Sequence, residues 1–211
     1  MIMRSVAFSF NSVFIYSFAL FQVIVFVNNI PATCQNQSCS YNYSRDETPT
    51  ISSISPTSGF GGLPCKQLQV TCQGCGVNAS AISVSIGLSN CVVTDLNGAV
   101  ITCCPTESAA GSKEVTVHVA GKGISQPLNG QHLYFRYLVN VSSISPSQGS
   151  ISGGLDVTIN GFGFGSNRDD VKVLLGNATC LVNQVNMTTI VCSAEDHVQG
   201  TVDVKVEIIT S

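Results

Sequence analysis

The sequence predicts an all-β chain: two tandem β-sandwiches behind an N-terminal hydrophobic helix. Three observations lead there. Ten Cys and 19 Gly stand in a chain where only 10% of residues are charged, against about 25% in an ordinary soluble domain. An internal repeat of about 90 residues runs through the chain. Within each copy apolar residues alternate at period two, the spacing of a strand with one buried face. The 211 residues carry a formal net charge of −3 and no Trp. Without clustered Lys and Arg there is no electrostatic footprint for nucleic acid.

The first element is the hydrophobic segment. Arg4 precedes it, and Val6 to Val27 is free of charge and rich in Phe, Val, Ile and Leu. Residues 1–32 read as a secretory signal peptide, with cleavage near Ala32 or Cys34. The apolar run of about 22 residues is long for a signal core and long enough to span a bilayer, so an uncleaved signal anchor is the alternative. In both cases the positive-inside rule leaves the N-terminus in the cytoplasm and the remainder outside. The expected location is secreted, or the outer face of the plasma membrane. Residues 33–48 read as a linker. Six Asn-x-Ser/Thr acceptors, at Asn36, Asn42, Asn78, Asn140, Asn177 and Asn186, agree with passage through the secretory route.

The repeat defines the next elements, expected over 49–139 and 140–211. Ser52-Ser-Ile-Ser-Pro56 recurs as Ser142-Ser-Ile-Ser-Pro146 at an offset of 90. Leu68-Gln-Val-Thr-Cys72 aligns with Leu155-Asp-Val-Thr-Ile159 at an offset of 87. Val84-Ser-Ile-Gly87 matches Val173-Leu-Leu-Gly176, and Cys91 and Cys103 match Cys180 and Cys192, all at 89. Glu114 to Val119 aligns with Thr201 to Val206, again at 87. Drifts of this size are the usual work of loops.

Each copy then reads as strands between turns. Leu68, Val70 and Cys72 alternate with polar residues, as do Leu155, Val157 and Ile159. So do Val115, Val117 and Val119, and Val202, Val204, Val206 and Ile208. Gly59-Phe-Gly-Gly62, Gly153-Gly154 and Gly161-Phe-Gly-Phe-Gly165 lie between the runs, where tight turns are needed. Several short strands in about 85 residues predict a sandwich of two antiparallel sheets per copy.

Ser-Ile-Ser-Pro, the Gly-Gly pair, Asp156-Val-Thr-Ile-Asn-Gly-Phe-Gly-Phe164, Leu175-Gly-Asn-Ala-Thr-Cys180 and Thr189-Ile-Val-Cys192 resemble the IPT/TIG domain. This is the immunoglobulin-like module of plexin and fibrocystin-type surface proteins. The second copy matches the pattern closely. The first departs from it, with Cys72 in place of a β-branched core residue, extra Cys65 and Cys75, and a double Cys103-Cys104. The resemblance implies tandem immunoglobulin-like sandwiches and the disulfides Cys91–Cys103 and Cys180–Cys192. In each copy these cysteines also flank a turn between two apolar runs. Cys104, on the opposite strand face from Cys103, is expected to bond Cys65, Cys72 or Cys75, with three connectivities open. Cys34 with Cys39 would complete an even set.

Other chemistry finds little support. Cys72-Gln-Gly-Cys75 has the spacing of a zinc or redox pair but lacks a second Cys/His pair or a βαβ context. Asp169-Asp170 reads as a solvated turn, since calcium needs six to eight oxygens. His118, His132 and His197 are not arranged with a nucleophile in any known motif. No enzyme, cofactor or metal is expected.

The resemblance implies a non-catalytic extracellular interaction module of a receptor-like or adhesion protein. Its partners would be an extracellular protein or neighbouring immunoglobulin-like domains, with Phe60, Phe162 and Phe164 as contacts or as plugs for the core. Accessory domains of a secreted carbohydrate-active enzyme are the alternative. Glycan at Asn177 or Asn186 would favour contact through the opposite sheet. Finally, Leu133 to Leu138 reads as a closing strand of the first copy, and the 87-residue offset carries it to about position 225, past Ser211. The second copy is therefore expected to lack that strand, leaving a pairing edge. The chain would then be the N-terminal part of a longer protein, or a partner would donate the strand.

Overall fold

The computed structural model describes residues 21–22, 26–31, 40–62 and 64–209. They fall into two compact units, Met1–Arg45 and Asp46–Ser211. In the first unit Phe21–Gln22 pairs with Ser40–Tyr41, and Phe26–Val27 with Ile30–Pro31. The expected N-terminal helix lies mostly outside the described residues, and its described stretches are extended. Asn28 and Asn29 both take positive φ, 51° and 63°, as a two-residue hairpin turn between β-prone Phe, Val and Ile requires. No helix among the described residues is long and apolar enough to cross a membrane.

The second unit holds both copies. In the first copy we label β1 (Thr50–Ser55), β2 (Ser58–Gly59), β3 (Leu68–Gln73), β4 (Ile82–Ile86), β5 (Ser89–Asn97), β6 (Val100–Pro105), β7 (Gly111–Val119) and β8 (Tyr134–Tyr137). They hydrogen-bond in the order β1-β3-β6-β5-β4-β7-β8-β2. The long strand β5 starts against β4 at Ser89–Cys91 and continues against β6 from Cys91 to Asn97. That crossing folds one ladder into two facing halves. Leu68, Val70 and Ile101 from one half then meet Val84, Ile86, Val115, Val117 and Phe135 from the other in one buried cluster.

The second copy repeats this with β9 (Asn140–Ser145), β10 (Asp156–Phe162), β11 (Val171–Leu175), β12 (Ala178–Val185), β13 (Thr189–Ala194) and β14 (Val204–Ile208). Among the described residues their order is β9-β10-β13-β12-β11-β14, matching the first six strands of the first copy's order. Val157, Ile159, Val173, Ile190 and Cys192 form its core.

Register corrects the repeat alignment. Val70 faces Ile101 as Ile159 faces Ile190, and Val115 faces Ile86 as Val204 faces Leu175. The offset is therefore 89, not 87, for both of those strands. Asn78 and Asn167, also 89 apart, each cap a short 3₁₀ turn by accepting an N–H two residues on. Position 72 thus corresponds to Gly161, not Ile159. A shift of two residues leaves every side chain on its own face of a strand, so alternation could not expose it. Only β1 and β9 keep the offset of 90, Ile54 facing Val70 as Ile144 faces Ile159.

Candidate functional site

The cysteines set the frame. Cys91 bonds Cys103 and Cys180 bonds Cys192, each tying the start of β5 or β12 to the end of β6 or β13. Cys104, turned away from the buried Cys103, bonds Cys65, and Cys72 bonds Cys75. No free cysteine remains among the described residues. Cys34, Cys39 and Asn36 lie outside them. The acceptors Asn42, Asn78, Asn140, Asn177 and Asn186 are all exposed.

The Gly161–Gly165 loop joins the two copies. The Ala110 N–H donates to the Gly163 carbonyl at 2.9 Å. A Cβ on Gly163 would come within 2.5 Å of the Leu138 carbonyl oxygen, so only glycine allows this approach. Phe162 turns its ring to Phe60 across the junction, centroids 6.4 Å apart, and the Lys66 ammonium lies 5.6 Å from the Phe60 ring centroid. Phe164 is buried in the second core. The three aromatics thus serve the junction and the core.

His132 contacts Glu114, His197 Nδ1 lies 2.8 Å from the Val198 carbonyl oxygen, and His118 stands exposed on β7. Asp169 Oδ1 stands 3.7 Å from Arg168 Nε. Among the described residues no group of three or more His, Cys, Asp or Glu is placed to hold a metal ion.

The surface that distinguishes the copies is the lateral edge of the second. In the first copy β8 pairs with β7 and sends Phe135 and Tyr137, each 2% exposed, over the core. There Val115, Val117 and Val119 are buried. Their counterparts Val204, Val206 and Ile208 are only half-buried, since among the described residues β14 has β11 on one side and no strand on the other. The second copy has a groove of about 550 Å³ with Ile144, Leu155, Val157, Leu175, Val202 and Val204 in its wall.

Backbone phasing defines this edge. The Gly176 N–H donates to the Asp203 carbonyl and the Ile209 N–H to the Asp170 carbonyl, so residues 203, 205, 207 and 209 turn their peptide groups toward β11. By alternation the N–H and C=O groups of Val204, Val206 and Ile208 point outward. On the solvent face the Lys205 ammonium donates to Glu207 at 2.6 Å, and Lys172 stands 4.0 Å from it. The hydrogen bond and charge of Lys205, aided by Lys172, hold Glu207 below the usual carboxylate range. Among the described residues the edge is thus apolar inward, charged outward at Lys205 and Glu207, and without a strand paired along its outer side. Sequence reasoning located it only approximately, through the displaced offset.

A family profile described as the IPT/TIG domain matches residues 49–137 and 140–210. Fibrocystin-L of Homo sapiens is 36% identical over 189 residues, covering 88% of this chain and 4% of the relative. Fibrocystin of Canis lupus familiaris is 29% identical over 164 residues, covering 77% of this chain and 4% of the relative. The chain spans about 4% of the length of the curated relatives it matches. Among solved structures, the plexin A4 extracellular region superposes with a TM-score of 0.36 at 20% identity, covering 85% of this chain and 19% of that one. A Bacteroides thetaiotaomicron protein of unknown function gives 0.38 at 13% identity, covering 76% and 41%.

Proposed function

The chain belongs to the IPT/TIG domain family, and from that premise we propose that it is an extracellular, non-catalytic interaction module of a cell-surface or secreted protein. Family membership alone does not specify a function, because one fold serves many. The observation that carries the reading is the pairing of all eight described cysteines within their own copies. Such a set persists in an oxidising compartment and not in the cytosol. Five exposed glycan acceptors agree with that compartment.

The test is expression of residues 1–211 in a eukaryotic secretory host. The chain should reach the medium or the cell surface with oxidised cysteines and glycosidase-sensitive mass. The secreted protein should bind cells in a manner abolished by protease treatment of those cells. Retention in the cytosol with free thiols would overturn the reading. Binding confined to polysaccharide would transfer it to the accessory domains of a carbohydrate-active enzyme.

A further inference from the structure

We propose that Asn140 carries an N-linked glycan whose first sugar lies on the Phe162 ring and braces the junction between the two copies. This rests on passage through the secretory route and goes beyond it. Asn140-Val-Ser142 is an acceptor sequence, and the Asn140 side chain is exposed. On glycan transfer Asn140 Nδ2 gives up a proton and bonds to C1 of an N-acetylglucosamine. The bond from C1 to the lipid diphosphate of the donor breaks, and the diphosphate leaves with the electron pair.

Register puts the ring beside the acceptor. Asn140 on β9 is paired directly with Phe162 on β10. Directly opposed residues of an antiparallel pair share a face of the sheet, with Cβ atoms about 4.5–5.5 Å apart. Their neighbours show which face. Val141 packs against the second core and Gly161 is buried, so Asn140 and Phe162 both turn outward. That direction follows from the pairing of β9 with β10 and does not depend on what lies along the other side of β9.

The chemistry of ring and sugar is complementary. Phe162 is half-buried and keeps part of its surface in water. The axial C–H groups of a pyranose are weakly positive and fit the negative face of an aromatic ring. Stacking also removes apolar ring surface from water. The same ring meets Phe60 of the first copy, centroids 6.4 Å apart. A sugar that restricts Phe162 therefore holds it against the first copy. The equivalent pair in the first copy is Thr50 with Gln73, which offers neither an acceptor nor an aromatic ring. Acceptor and ring coincide on the strand pair that leads into the junction loop.

The full chain tests this when secreted from a eukaryotic host and trimmed by an endoglycosidase to one N-acetylglucosamine per site. Peptide mapping should find Asn140 occupied. Proton spectra should show the protons of that sugar moved upfield by the Phe162 ring current. They should return to ordinary positions in Phe162→Leu, which keeps apolar bulk and removes the π face. The Ala110 N–H, bonded to the Gly163 carbonyl across the junction, reports the brace. Ser142→Ala removes the acceptor sequence and keeps Asn140. It should speed hydrogen exchange at Ala110 about fivefold, and leave that rate unchanged in the Phe162→Leu background. Unshifted sugar protons, or an equal effect of Ser142→Ala with and without Phe162, would overturn the proposal. A secreted chain bare at Asn140 would overturn the proposal alone. A chain held in the cytosol with free thiols would overturn the extracellular reading and the brace with it.

Discussion

The ring of Phe164 stands over the backbone of Gly161. A Cβ at position 161 would come within 2.5 Å of the ring Cζ and 2.0 Å of the Asn140 carbonyl oxygen. In the first copy the corresponding positions are Cys72 and Cys75, 2% and 4% exposed and bonded to each other. The same end of the sandwich is closed in one copy by an aromatic ring lying on a glycine, and in the other by a disulfide. Both devices fill the space where the chain leaves β3 or β10 and keep water from the core.

Gly161→Ala should therefore destabilise the second copy by about 3 kcal/mol, because the obstruction is a backbone carbonyl with nowhere to move. Phe164→Ala should cost about 3–5 kcal/mol by opening a cavity. The exchange Cys72→Gly with Cys75→Phe should leave the first copy folded, whereas Cys72→Gly alone should not be tolerated. Chemical denaturation of each variant measures all three, and equal tolerance of the single and double exchange would refute the equivalence.

The disulfides should differ in worth. In the chain-entropy account, removing Cys180–Cys192 as a pair of alanines costs about 3 kcal/mol, Cys65–Cys104 about 4, and the tight Cys72–Cys75 loop about 2. Peptide mapping without reduction should recover these three links and Cys91–Cys103. Alkylation of Cys180 in unreduced protein would contradict the assignment.

The two-sandwich architecture was legible because it rests on alternation and on the identical 12-residue spacing of Cys91–Cys103 and Cys180–Cys192. The equivalence of Cys75 with Phe164 was not. Leu68-Gln-Val-Thr looks more like Leu155-Asp-Val-Thr than like its true counterpart Val157-Thr-Ile-Asn. A slide of two residues keeps every valine facing inward, so only hydrogen-bond register separates 87 from 89. The hydrogen bond from Ala110 to Gly163 left no trace in either local sequence, since it depends on how two loops meet in space.

Tyr137 carries a cost that substitution should reveal. Its hydroxyl is buried without a hydrogen-bond partner, and burial pushes the phenol up to about 12. Tyr137→Phe should be neutral or stabilise the first copy by up to about 1 kcal/mol, because it removes an unsatisfied group and keeps the ring. A phenol raised in the folded state contributes stability that is complete below the ordinary tyrosine value near 10. That contribution is lost as pH rises toward 12. The variant should lose less stability than the parent over that alkaline interval. Unfolding curves at several alkaline pH values decide it, and parallel losses would exclude Tyr137 as the cause.

Asn177 and Asn186 should each carry N-glycan in a eukaryotic host. Both are exposed. Asn186 accepts N–H bonds from Thr188 and Thr189 through Oδ1, which leaves its Nδ2 available for the sugar. Asn177→Gln and Asn186→Gln should each remove one glycan's mass without lowering stability. An unchanged mass after glycosidase treatment of the parent would count against both sites.

Hydrogen exchange should separate the two copies along one pair of equivalent strands. The Val115 N–H donates to the Leu133 carbonyl at 2.8 Å, and the Val117 N–H to Ser125 Oγ at 3.2 Å. Val204 and Val206 occupy the equivalent positions with their N–H groups directed off the edge of the sheet, while Lys205 and Glu207 bond to β11. In dilute protein the Val204 and Val206 amides should exchange at least about a hundredfold faster than Val115 and Val117, with Lys205 and Glu207 protected between them. An alternating pattern within β14 is the signature of an unpaired edge, whereas uniform fast exchange would mean that the strand itself opens. Equal protection of Val115 and Val204 in dilute monomer would show that another segment covers the edge.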